Sequence, residues 1–210
     1  MSERIFRVLG VSGSLRQGSY NRLLIQAAQE LAPENLQINI FDLHDIPAYD
    51  PDTEAEGSPE PVVDFKRRIQ AADAVLISTP EYNYGVPGML KNAIDWASRP
   101  TADGVKVLNG KPIALMGATT GNFGTVRAQM MLRQVFLYTR SHVMLEPEVT
   151  VFKVKERFDG GRLTDEPTRG FLREMLAGLD EWIKLFARAF TAGPAPGVGP
   201  ISRLIDPGAR

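Results

Sequence analysis

Along the chain, short apolar runs alternate with longer stretches in which apolar residues recur every three or four positions. The runs 5–11 (IFRVLGV), 36–43 (LQINIFDL), 72–79 (ADAVLIST), 111–118 (KPIALMGA) and 143–152 (VMLEPEVTVF) read as five strands. The first, third and fourth are nearly continuous in apolar residues, the pattern of strands covered on both faces. Helical spacing groups Leu23, Leu24, Ala27, Ala28 and Leu31, then Met89, Leu90, Ala93, Ile94 and Ala97, then Val126, Met130, Met131 and Val135. A last and longest stripe runs from Phe171 through Trp182 to Phe190. Residues 44–60 (HDIPAYDPDTEAEGSPE) read as a long polar loop.

This alternation predicts an α/β fold: a flavodoxin-like, doubly wound five-stranded parallel sheet, strand order 2-1-3-4-5, with helices on both faces. Such sheets bind ligands beyond the carboxyl ends of their strands, here just after residues 11, 79 and 118. Residues 1–190 form one domain, and the tail 191–210 (TAGPAPGVGPISRLIDPGAR) cannot build a core, so it is expected to pack on a neighbouring subunit. A chain of 210 residues suits this single domain. Its net charge of −1 offers no basic field for nucleic acid. Without any cysteine, it can have no disulfide, thiolate nucleophile or cysteine-held metal. No signal-peptide h-region and no membrane-length apolar stretch occur, so a cytoplasmic protein without a membrane partner is expected.

Three loops stand at the indicated strand ends. The first, GVSGSLRQGSYN (10–21), is rich in Gly and Ser and leads into a helix, which favours a bound anion. Its glycines, Gly10, Gly13 and Gly18, miss the dinucleotide spacing. Ser19 and Tyr20 stand where a nucleotide-hydrolysing P-loop carries Lys and Ser/Thr, which argues against triphosphate chemistry. A monophosphate cradle remains, with donors from Ser14, Ser19, Asn21 and the backbone, and a guanidinium from Arg16. The second loop, PEYNYGVPG (80–88), offers aromatic faces for a flat ring. In the helix after it, Ile94 and Trp96 read as packing residues and Lys91 with Asp95 as a surface pair. The third loop carries Thr119, Thr120, Gly121 and Asn122. Together the loops suit a mononucleotide such as FMN.

The segments GSLRQGSYN, PEYNYGVPGMLKNAIDW and GNFGTVRAQMMLRQV resemble the NADPH-dependent FMN reductase family, in the branch of quinone, chromate and azo-dye reductases. The resemblance covers about residues 4–188. It implies that Ser14, Arg16, Ser19 and Asn21 hold the FMN phosphate, with Tyr20 in the same loop. It implies further that Pro80, Glu81, Tyr82, Asn83 and Tyr84 line the isoalloxazine, and Thr119 and Gly121 its far edge. The chain departs from the pattern at Gly85, where many members have Ser, and at Thr119-Thr120-Gly121, where many have Ser-Pro-Gly or similar.

With FMN bound, NADPH or NADH would deliver hydride to the flavin and an acceptor such as a quinone, azo dye, flavin or chromate would follow at the same face, a ping-pong scheme. No catalytic side chain and no metal are expected: His44 and His142 read as surface or structural, and Glu81 as lining rather than acid. The alternatives are a flavodoxin-like electron carrier, a non-catalytic flavin-binding module, or an arsenic-resistance type reductase. Arg16 in the loop and the near-zero net charge favour the enzyme over the carrier. Met89, Met130, Met131, Phe136 and Tyr138 look surplus to one core, which predicts a homodimer closing the site, or a dimer of dimers.

Overall fold

In the computed structural model, residues 4–191 are described. The expected tail lies almost wholly outside them. The sheet is built from β1 (Phe6–Ser12), β2 (Leu36–Phe41), β3 (Ala74–Ser78), β4 (Pro112–Ala118), β5 (His142–Val143) and β6 (Val149–Val151). Its order is β2-β1-β3-β4-β5 with every pairing parallel, and β6 also pairs with β4. The expected strand over 143–152 is thus two short ones that share the position beside β4. Leu145–Glu148 interrupts it, and Pro147 has no N–H to give a ladder.

Helices cover both faces, as expected. On one face, α1 (Tyr20–Leu31) and α6 (Glu166–Thr191) bury Leu24, Ala28, Leu172, Met175 and Leu179 against Val8, Leu76 and Met116. On the other, α3 (Glu60–Ala71), α4 (Gly88–Ser98) and α5 (Val126–Thr139) bury Phe65, Ile69, Leu90, Trp96, Leu132 and Phe136 against Leu9, Val75, Ile77 and Leu115. The side-chain alternation of each strand feeds both cores at once. Ile94 and Trp96 are core residues, and Lys91 donates to Asp95 on the surface of α4, both as expected.

Three expectations need correction. The polar stretch 44–60 contains a short helix, α2 (Pro51–Glu56), capped by Asp50, whose side chain accepts from the N–H of Asp52. Phe136 is buried and Met89 half-buried, so neither belongs to an exposed face. Between β6 and α6 lie a 3-10 turn (Val154–Glu156) and a small hairpin of β7 (Phe158–Asp159) and β8 (Arg162–Leu163), which the apolar pattern did not mark.

Candidate flavin site

The loop after β1 is pinned at its start. Gly13 N–H donates to the Ser78 carbonyl at 2.9 Å. A Cβ on Gly13 would lie 3.0 Å from Leu90 and 3.1 Å from Pro80, so this glycine lets the first and second loops touch. From there the chain turns outward: Leu15, Arg16, Gln17 and Gly18 are exposed. The Arg16 guanidinium folds back over Gly18 and forms no ion pair among the described residues. Ser19 caps α1, its hydroxyl accepting from Arg22 N–H at 3.4 Å. The N–H groups of Tyr20 and Asn21, in the first turn, have no described partner. An unpaired guanidinium beside unpaired helix N-terminal donors is what a phosphate needs. The loop therefore fits the group the sequence implies.

Two side chains of this loop are used differently from expectation. Asn21 is 3% exposed and turned into the protein. Its Nδ2 donates to the Ala118 carbonyl at 2.9 Å, and its Oδ1 accepts from Ala118 N–H at 2.9 Å and Ser78 Oγ at 3.0 Å. The amide bolts α1 to the ends of β3 and β4 and leaves only the backbone N–H facing a ligand. Tyr20 packs edge-on against Phe158, with ring centroids 5.4 Å apart, so it too has only its backbone at the loop.

After β3, Pro80 is buried and its carbonyl accepts from Thr79 Oγ1 at 2.8 Å. Tyr82 and Gly85 exchange backbone hydrogen bonds of 3.1 and 2.9 Å around Asn83 and Tyr84, whose φ values are +50° and +64°. Two left-handed residues between paired ones make a type I′ hairpin tip. Tyr82 OH stands 3.4 Å from Ser14 Oγ and joins the first two loops. Tyr84 is 70% exposed, and the Arg127 guanidinium lies 3.9 Å from its ring centroid and 4.7 Å from that of Phe123.

Glu81 is the structural key of the second loop. Its carboxylate accepts from Arg127 N–H at 3.0 Å, Ala128 N–H at 3.3 Å and Arg127 Nε at 2.6 Å, and the side chain is 8% exposed. It caps α5 from a distance, in place of Thr125, whose own side chain makes no cap. A carboxylate so engaged ties the second loop to the first turn of α5.

The third loop completes the cleft. Thr119 N–H donates to Val151, and Lys153 N–H to Gly121, at 2.9 and 3.0 Å. A cavity of about 250 Å³ brings Glu81, Asn83, Tyr84, Thr119 and Gly121 together, as the sequence anticipates. It also holds Asn122, which the third loop offered, and Phe123, Thr125 and Arg127, which the sequence did not assign. Arg127 had a signal: a cation in the first turn of a helix opposes the dipole and asks for a carboxylate beside it. Among the described residues no group of three or more potential ligands could hold a metal ion. His142 stacks on Phe186 at 3.9 Å, far from these loops in the fold, and burial lowers its pKa.

The fold and cleft can be set beside known proteins. Residues 6–156 match the family model described as NADPH-dependent FMN reductase. An NAD(P)H-dependent FMN reductase of Pseudomonas aeruginosa is 45% identical over 185 residues, covering 88% of this chain and 98% of that protein. A quinone reductase of Escherichia coli K12 is 37% identical, over 88% of this chain and 98% of its own. Among solved structures, the flavoenzyme NAD(P)H:(acceptor) oxidoreductase FerB of Paracoccus denitrificans superposes with a TM-score of 0.79 at 37% identity, covering 87% of this chain and 99% of that one. The sheet order, the three loops at its carboxyl edge and these likenesses agree: the chain belongs to the NADPH-dependent FMN reductase family, an oxidoreductase class that works with FMN and NAD(P)H.

Proposed function

We propose that the protein is a quinone reductase, taking hydride from NAD(P)H and reducing a quinone by a ping-pong scheme at one shared face of the cleft. The observation that carries this reading is the rim. Tyr82, Tyr84 and Phe123 are all exposed large aromatics at the mouth of the loops, a surface suited to a flat, partly apolar acceptor. Relatives named quinone reductase or NAD(P)H:quinone oxidoreductase, at 37–40% identity, support the same acceptor class.

In this reading, Arg16 and the first-turn N–H groups of α1 bind the FMN phosphate, and Ser14 adds its hydroxyl. Tyr82, Asn83, Tyr84, Thr119 and Gly121 flank the ring, while Pro80 and Glu81 hold the loop in shape. Bound FMN supplies hydride acceptance from the nicotinamide and electron delivery to the acceptor. The protein orients the flavin, keeps water from one side of it and leaves the other open.

Val126, Met130, Met131, Leu137 and Tyr138 form an exposed apolar stripe along α5, and Tyr138 is 83% exposed. This stripe supports a homodimer that closes the cleft, with a dimer of dimers as the larger assembly. A cytoplasmic setting, where reduced nicotinamides are at hand, completes the reading.

The test starts from protein loaded with FMN and freed of excess. Anaerobic NADPH and NADH should bleach the flavin, and steady-state rates with benzoquinone should give parallel double-reciprocal lines. Flavin that stays oxidised with both nicotinamides would favour an electron carrier. Rates with azo dyes, chromate or free flavin well above those with quinones would overturn the acceptor. Replacing Met130 and Leu137 together by Glu should shift sedimentation to the monomer; an unchanged profile would remove the α5 interface.

A further inference from the structure

A second cavity, of about 700 Å³, opens between α3 and the chain that follows α4. It lies at the end of α4 opposite the flavin loops, about 16 Å along that helix at 1.5 Å per residue. Lys66 stands in its wall and is 2% exposed, among the largest fully buried side chains of the protein. Its ammonium donates to Ser58 Oγ at 3.4 Å and the Pro100 carbonyl at 3.3 Å, both long and both neutral acceptors. A third N–H has no acceptor, and no carboxylate pairs with it among the described residues.

The charged neighbours are already committed. Glu54 accepts from Tyr49 OH at 2.8 Å and from Arg99 Nε at 2.9 Å. Arg67 is paired with Asp64, and Asp103 with the Thr101 hydroxyl. With Glu54 on Arg99 and Arg67 on Asp64, the buried Lys66 amine is left without a paired carboxylate, and the other acid of the lining, Asp103, is held by the Thr101 hydroxyl. Burial pushes the Lys66 pKa down and Arg99 adds to this, while Glu54 pulls it up. An isolated buried ammonium is costly, and a matching anion relieves it.

The rest of the cavity is preformed and largely apolar in character. The Glu54–Arg99 pair ties α2 to the end of α4. Thr101 and Val105 close the lip by two hydrogen bonds of 2.9 Å. Val63, Pro100 and Ala102 supply apolar walls. Size, apolar walls and one deep polar group are the marks of a small-molecule site.

We propose that this cavity binds a small molecule with one carboxylate and a compact apolar body, the carboxylate on the Lys66 ammonium. Benzoate is the probe. Titrated into the FMN-loaded protein by calorimetry, it should bind saturably, and benzyl alcohol, without the charge, should bind at least tenfold more weakly. Lys66→Met should weaken benzoate binding at least tenfold and retain FMN. In the unsubstituted protein, the Lys66 side-chain NMR signal should shift along the same binding curve, a readout that needs no variant to fold. Three outcomes would overturn the proposal: no saturable binding, binding equal in the Met variant, or a shifted flavin spectrum with an unmoved Lys66 signal. The last would place the acid in the flavin cleft instead.

Discussion

At the scale of single residues, the site divides into groups that touch a ligand and groups that hold the first in place. In the proposed reading Arg16 belongs to the former. Arg16→Ala should raise the FMN dissociation constant roughly tenfold to a hundredfold, the usual worth of a hydrogen bond to a charged group, with little change in the unfolding midpoint of the apoprotein. Equilibrium dialysis against FMN and urea titration check both halves. Asn21 belongs to the latter. Asn21→Ala would leave Ser78 Oγ and both backbone groups of Ala118 without their partner, costing about 3 kcal/mol by urea denaturation. Gly117 is stricter still, since a Cβ there would meet Thr125 Oγ1 at 1.9 Å and the Thr79 carbonyl at 2.5 Å. These partnerships explain what sequence could and could not show. Asn21 stood in a loop of donors, and its identity suited a phosphate as well as a bolt. Only the fold, bringing Ala118 within reach across 97 residues, distinguishes the two.

At the scale of elements, the helix caps carry the testable chemistry. Asp165 caps α6: its carboxylate accepts from Thr168 N–H at 3.0 Å and from Arg157 at 2.8 Å. Hydrogen bonds from the Thr168 side chain first, then its backbone, and then Arg157, outweigh burial and lower the Asp165 pKa. A carboxyl whose folded pKa lies below its unfolded value stabilises the fold above the unfolded value and loses that contribution as pH falls through the folded one. Stability should therefore decline in acid below about pH 4, the unfolded aspartate range, and Asp165→Asn should flatten that decline. An equal acid slope in both proteins would remove Asp165 from the account. Legibility also varies by element. β1, β3 and β4 were plain because burial on both faces makes their apolar runs continuous. The helix α3 was hidden: Val62, Phe65 and Ile69 are on its buried face, but six polar or charged residues among its twelve dilute the stripe. The expected fifth strand looked single because its two halves are both apolar, and only Pro147 hinted at the break.

At the scale of the whole molecule, the flavin and the fold are linked. A ligand that binds only the folded protein raises its stability, by about 2.7 kcal/mol at a hundredfold excess over the dissociation constant. Thermal unfolding of the loaded protein should rise accordingly, and Arg16→Ala should lose most of the rise at equal FMN; an undiminished rise would mean that Arg16 does not touch the phosphate. The architecture also separates foundation from façade. Gly13, Asn21, Glu81 and Gly117 fasten the three loops from below, whereas Tyr82, Tyr84 and Phe123 protrude above them and anchor nothing in the core. Such a rim is free to drift. New acceptors can be sampled through changes at those three aromatics, with the loop proposed for the phosphate inherited intact beneath them.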